Sequence, residues 1–106
     1  MTRLASEFWV KAYIKRLSQE NIPAFVVRHG DDTAGAILVK LATLDGQAKL
    51  FQKTFVFEAN DQIWRELSIG PEHEVDTVIA RQSKSDPDLW VIEIEDAQGR
   101  HFLDAY

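Results

Sequence analysis

The sequence predicts an α+β protein in which two helices pack on a mostly antiparallel sheet of about five to six strands. Three patterns support this prediction: a helix-forming run near the N-terminus, alternating apolar residues in the middle, and a second helical run followed by an apolar strand. Read in order, the elements are α-β-β-β-β-α-β-β. The 106 residues contain no linker or internal repeat, so we expect a single domain over residues 1–106.

The first helix is predicted over residues 5–20, which lack Gly and Pro and place Glu7 one turn before Lys11. Asn21 and Pro23 end it. Its apolar side chains spread over an arc of roughly 240°, whereas a helix lying on one sheet needs little more than about 100°. The helix therefore has more apolar surface than one sheet can cover.

Alternation with a period of two predicts four strands, over residues 24–29, 35–43, 48–57 and 62–69. Asp45-Gly46 predicts a type I′ turn between the second and third strands, because both residues tolerate positive φ. The alternation slips in the third strand, which predicts a β-bulge or a break near Gln52 to Thr54. Most of the sheet is thus expected from one continuous stretch of chain.

The second helix is predicted to begin with Gly70 as N-cap and Pro71 at the first helical position, and to end near Lys84. Glu72 and Glu74 in its first turn suit the helix dipole. An apolar strand follows over residues 89–96, and after a turn His101-Phe102-Leu103 is expected to return as an antiparallel edge strand.

Composition excludes several kinds of site. The chain has no Cys, so it contains no disulfide, thiolate metal site or Cys nucleophile. Its five glycines form no phosphate-binding motif, and its three histidines are too far apart for an HExxH zinc helix. We therefore expect no cofactor. The N-terminus lacks the apolar run of a secretory signal and no window is apolar enough to span a bilayer, so we expect a soluble, cytoplasmic protein.

The formal net charge of −5 is unevenly distributed along the chain. Residues 1–53 carry eight Lys and Arg against five Asp and Glu, whereas residues 54–106 carry four against twelve. Such a split permits a bipolar surface. The simpler expectation is that the two halves interleave in one compact domain, so that the charges mix in space.

Three stretches resemble a known family. They are Ser6-Glu7-Phe8-Trp9-Val10-Lys11-Ala12-Tyr13 with Arg16, then Ala34-Gly35-Ala36-Ile37 with Val39-Lys40 and Leu44-Asp45-Gly46, and finally Asp86-Pro87-Asp88-Leu89-Trp90 through Glu93-Ile94-Glu95-Asp96 to Gly99-Arg100-His101-Phe102-Leu103. In this order they are similar to the short bacterial proteins of domain of unknown function family 1491. That resemblance implies no activity, cofactor or catalytic residue.

The first helix supplies the preferred candidate for a functional surface, an interface formed by Phe8, Trp9, Tyr13 and Arg16. Its excess apolar surface is covered either by the same helix of a second copy, which gives a homodimer, or by flanking segments that include residues 103–106. Nucleic-acid binding through Lys11, Lys15 and Arg16 ranks lower, because the chain as a whole is acidic.

The last hairpin supplies the alternative, a ligand site formed by Glu93, Glu95, Asp96, Arg100 and His101. Carboxylates beside one imidazole can hold a hard divalent cation or act as an acid and base in a hydrolase or ligand-binding protein. A solvated strand face in which Arg100 pairs with an acid explains the same residues without a ligand. The sequence thus favours a protein that acts by protein contact, without catalysis, over a metal-assisted hydrolase.

Overall fold

A computed structural model of the chain describes residues 5–56 and 61–103. Its elements, in chain order, are α1 (Ser6–Gln19), β1 (Ala24–Arg28), β2 (Ile37–Ala42), β3 (Gln47–Val56), β4 (Asp61–Pro71), α2 (Glu72–Ser85) and β5 (Trp90–Glu95). The order α-β-β-β-β-α-β predicted up to that point is confirmed.

The five strands form one sheet in the order β1-β5-β2-β3-β4. The pairs β1–β5, β2–β3 and β3–β4 are antiparallel, and β2–β5 is parallel. The α+β class with a mostly antiparallel sheet is therefore confirmed. The last strand of the described chain lies inside the sheet, between the first two.

The two helices cover opposite faces of this sheet. On the α1 face, Trp9, Tyr13 and Leu17 pack with Val39 and Ile92 in the larger apolar cluster. On the α2 face, the smaller cluster joins Val75 of the helix to Leu38, Ala48, Leu50 and Val91 of the sheet and to Leu89, which directly precedes β5. Because β2 is central and covered on both sides, all six of its residues are buried.

Residues 101–103 do not form the predicted edge strand. Both edges of β5 are occupied, one by β1 and the other by β2, so no hydrogen-bonding position remains for a returning segment. Instead Phe102 adopts a positive φ of 56° and the Leu103 N–H donates to Nδ1 of His101 at 3.0 Å. The segment folds over the α1 face, where Leu103 is fully buried.

Two local predictions are wrong in detail. The β-bulge between β3 and β4 lies where Leu50 pairs with Ser68 and Phe51 with Glu66, which leaves Leu67 as the extra residue. The turn before β3 has positive φ at Leu44 and Gly46, and Asp45 Oδ1 instead accepts hydrogen bonds from the Thr43 hydroxyl and the Gln47 N–H.

The three stretches that carry the family resemblance meet at one corner of the fold. Ser6 Oγ at the start of α1 donates to the Gly35 carbonyl at 2.6 Å, and the Asp31 N–H donates to the Asp88 carbonyl at 3.0 Å. A Cβ atom on Gly30 or Gly35 would lie 2.2 or 2.4 Å from that Asp88 oxygen. Glycine is therefore required at both positions, and this corner fixes α1 to the sheet.

Candidate functional site

The outer edge of the sheet at β1 exposes apolar side chains in succession. Phe25 is 51% exposed, Val26 44% and Val27 61%, and no other three successive large apolar residues are exposed within residues 5–53 and 63–103, whose side chains the structure describes. Strand β1 is the last strand on its side of the sheet, so β5 is its one neighbour among the described strands. We call residues 24–27 the β1 edge.

Hydrogen bonds to β5 determine which backbone groups the β1 edge presents outward. The Glu95 N–H donates to the Pro23 carbonyl at 3.1 Å, and Phe25 lies opposite Glu93 two residues further along. In an antiparallel ladder bonding residues alternate, so Phe25 faces β5 while Ala24 and Val26 direct their N–H and C=O groups away from it. Both outward residues can receive another strand.

A bulge ends this regular stretch of β1. Val26 pairs with Ile92 and Arg28 with Val91, so Val27 is an extra residue. Beside the strand, Ile14 and Ser18 of α1 and Ala24 of β1 line a shallow groove on the α1 face. The β1 edge is therefore a short apolar ladder bordered by one side of α1.

The aromatic residues predicted as an interface on α1 lie mostly inside the protein. Trp9 and Tyr13 are buried, with ring centroids 4.8 Å apart, and the Tyr13 hydroxyl donates to the His101 carbonyl at 2.7 Å. Residues 101–103 thus cover the second side of the helix, as the alternative considered from the sequence required. Phe8, at 61% exposed, is the aromatic residue of the set that remains open to a partner.

Two of the three basic residues of α1, Lys11 and Arg16, form ion pairs with acids one turn away along the chain. Lys11 Nζ lies 2.8 Å from Glu7 Oε1, and Arg16 lies 2.6 Å from Glu20 Oε1 while its guanidinium stacks over the Phe102 ring. Glu7 raises the pKa of Lys11 through a hydrogen bond and its charge. These pairs weaken any attraction of the helix for phosphate groups.

The predicted ligand residues near the C-terminus do not converge on one point. Asp96 is buried and accepts from the Arg100 backbone N–H at 2.7 Å and from its guanidinium at 3.1 and 3.0 Å. Those bonds lower the pKa of Asp96 and raise that of Arg100. His101 packs against Phe51 on the α1 face. Glu93 and Glu95 lie two and four residues after Val91 on β5, so they share its face and point toward α2.

An ion-pair cluster on the α2 face was missed by the sequence analysis. Lys40 is buried in β2, and its Nζ lies 2.8 Å from Glu72, 2.7 Å from Asp76 and 3.0 Å from Glu93. Burial lowers the pKa of Lys40, but the hydrogen bonds that its ammonium group donates to the three carboxylates outweigh burial and raise the pKa overall. A lone Lys inside the otherwise apolar run Ala36–Ala42 was the sequence signal for such a cluster.

The cluster joins α2 to β2 and β5 and uses all three donors of the ammonium group. Within the described ranges, no three His, Asp or Glu side chains are arranged to hold a metal ion. In that same part of the chain, no helix has the length and apolar character needed to cross a membrane. Through its contacts with Glu72 and Asp76, Lys40 attaches the second helix to the sheet.

Comparisons with known proteins agree with the fold. Residues 4–104 match the family described as "Protein of unknown function (DUF1491)". The crystal structure of a DUF1491 family protein from Caulobacter crescentus CB15 has 38% sequence identity and a TM-score of 0.84, covering 96% of this chain and 94% of that one. An NMR structure of a DUF1491 family protein from the same organism gives 37% identity, a TM-score of 0.84, and coverage of 97% and 94%.

A third solved structure is more distant. The solution structure of a protein from A. tumefaciens has 30% identity and a TM-score of 0.75, covering 89% of this chain and 86% of that one. A search of curated proteins gives no match.

Proposed function

The chain belongs to the DUF1491 family of proteins of unknown function, and we propose that it acts by contact between protein chains, as a homodimer, and not by catalysis. The observation that carries this proposal is the β1 edge, where three successive apolar side chains are exposed on a strand that has β5 as its one neighbour among the described strands. Exposed apolar edge strands are sites of strand addition and self-association. We therefore propose an interface on β1, the strand that follows α1, in place of the interface that the sequence predicted on α1.

Burial of this surface provides the driving force for association. Completing the burial of a half-exposed Val or Phe side chain is favourable by about 1 kcal/mol, and a two-fold dimer buries three such side chains from each copy. Residues 22–28 contain no acid and a single base, Arg28, so two copies of this segment approach without strong repulsion. Phe8 and Ile14 on α1 lie outside the strand and are secondary contacts at most.

The proposal also places the protein in the cytoplasm of a bacterial cell. The solved structures it resembles come from Caulobacter crescentus and A. tumefaciens, which supports the bacterial source. Fractionation of cells that express the protein from its own gene tests the cytoplasmic location.

Light scattering of the purified protein, over a wide range of protein concentration, tests the dimer. We expect a mass of about twice the 12.1 kDa of one chain for the wild type and 12.1 kDa for Phe25→Asp, because an ionised carboxylate in the interface opposes burial. Ile69→Asp is the matched control, since Ile69 is 60% exposed on β4 at the opposite edge of the sheet.

The control should remain a dimer, and both variants should retain the circular dichroism of the wild type. A wild-type mass of 12.1 kDa at every concentration would refute the proposal. A dimer that Ile69→Asp dissociates and Phe25→Asp does not would place the interface at β4.

A further inference from the structure

We propose that the two copies pair β1 with β1 in antiparallel orientation, with Phe25 of one copy directly opposite Phe25 of the other. This inference rests on the self-association proposed above and adds the way in which the two chains meet. It joins the five described strands of each copy into one continuous sheet.

The backbone groups of the β1 edge determine which residues can bond. Ala24 and Val26 direct their N–H and C=O groups away from β5, as the Glu95 to Pro23 hydrogen bond requires. With Phe25 on the two-fold axis, Ala24 of each copy lies opposite Val26 of the other. Each of these two pairs exchanges two N–H···O=C bonds, so four hydrogen bonds join the copies.

The bulge at Val27 selects this alignment over its nearest alternative. An alignment centred on Val26 would place Ala24 opposite Arg28 of the second copy, beyond the extra residue, where the regular ladder is already broken. The alignment centred on Phe25 uses only the residues that precede the bulge. It therefore keeps every outward donor and acceptor of Ala24 and Val26 paired.

The side chains match in the same alignment. Phe25 pairs with Glu93 of β5 and so lies on the α2 face, where it meets Phe25 of the second copy across the close, non-hydrogen-bonded position. Ala24 and Val26 lie opposite Ile94 and Ile92, on the α1 face. Because the two-fold axis is perpendicular to the sheet, both α1 helices lie on one face, and their grooves at Ile14 and Ser18 adjoin.

Engineered cysteines test the alignment, since the chain has no Cys of its own. In Phe25→Cys the two Cα atoms should lie about 4.5 Å apart, within the range of a disulfide. In Val27→Cys the two cysteines are four residues apart along the ladder, about 13 Å, beyond the range of a disulfide. Phe8 lies on α1 and is as exposed as Val27, so Phe8→Cys reports contact between the outer faces of the helices.

With oxidised glutathione as oxidant, we expect a covalent dimer from Phe25→Cys at least about tenfold faster than from Val27→Cys or Phe8→Cys. Suppose that the wild type is a dimer, that Phe8→Cys cross-links rapidly and that Phe25→Cys does not cross-link. This result would overturn the strand pairing and leave self-association intact. A monomeric wild type refutes both proposals.

Amide exchange of the wild type gives a second readout that needs no substitution. The N–H groups of Ala24 and Val26 should become protected as protein concentration rises, at the concentrations where light scattering detects the dimer. Protection of these two amides that does not change as the dimer forms would overturn the pairing, even if Phe25→Cys failed to dimerise.

Discussion

Individual residues of α1 show how a single helix is buried on more than one side. Tyr13 is fully buried, and its hydroxyl reaches the His101 carbonyl, so the body of the ring contributes apolar packing and its tip contributes a hydrogen bond. Trp9 stacks on Tyr13 and lies 5.2 Å from Trp64 of β4. The wide apolar arc of the helix is thus accounted for by the sheet below and by residues 101–103 beside it.

Substitution of Trp9 separates a core role from an interface role. Trp9→Ala should lower the free energy of unfolding by about 3–5 kcal/mol, because the large buried ring leaves a cavity. The mass of the folded protein should be the same as that of the wild type, and urea denaturation with light scattering checks both results. A stable variant that has lost only its self-association would return Trp9 to the interface.

Asp96 makes the stability of the protein depend on pH in the acid range. Its hydrogen bonds from Arg100 lower its pKa, so the stability it contributes is present above the usual Asp pKa of about 3.9 and is lost as pH falls through the lowered value. Asp96→Asn should reduce the free energy of unfolding by about 1 kcal/mol at neutral pH. In strong acid the variant and the wild type should have the same stability.

Urea denaturation at neutral pH and in strong acid measures that difference. Arg100→Gln is the matched variant, because it removes the other partner of the same ion pair. The difference between its free energy of unfolding and that of the wild type should also become smaller as pH falls. A difference between Asp96→Asn and the wild type that persists at low pH would show that the carboxylate charge is not its cause.

At the scale of elements, α2 is held to the sheet by few apolar contacts. Val75 is its buried residue, with Val78 and Ile79 partly buried beside it. Lys40 supplements this contact by joining Glu72 and Asp76 of the helix to Glu93 of β5. The helix is therefore attached through one ammonium group as well as through a narrow apolar stripe.

Removing that ammonium group should loosen the helix. Lys40→Met leaves three carboxylates together without a counter-charge and should lower the free energy of unfolding by about 2–3 kcal/mol. Glu72→Gln, which keeps two of the carboxylates and a hydrogen-bond acceptor, should cost less than about 1 kcal/mol. Urea denaturation gives both values, and equal losses would show that the charge of Lys40 is not what holds α2.

For the whole molecule, the sequence is informative where structure depends on neighbouring residues. Helix α1 and the four strands that follow it were predicted because periodicity and end signals are local. The strand order was not, since it depends on which strand β5 meets after the chain has passed through β3, β4 and α2. Residues 101–103 were wrongly assigned to a strand because the sequence does not show that β1 and β2 occupy both edges of β5.

The same limit applies to the candidate surface. Phe25-Val26-Val27 reads from the sequence as an ordinary buried strand, and only the position of β1 outside β5 leaves these side chains exposed. The difference in charge between the two halves of the chain did not predict the location of this surface, because β5 of the acidic half lies between β1 and β2 of the basic half. Strands from the two halves of the chain therefore alternate within the described sheet.

The insertion of β5 between β1 and β2 also sets the order in which the protein can be made. A chain leaving the ribosome releases β1 and β2 long before Trp90–Glu95, and neither strand has its native neighbour on that side until β5 arrives. Long-range pairing of this kind is formed late in folding. Until Trp90–Glu95 has been synthesised, β1 and β2 therefore lack their shared neighbour and expose these edges to other nascent chains, and strand exchange between copies is most accessible at that stage.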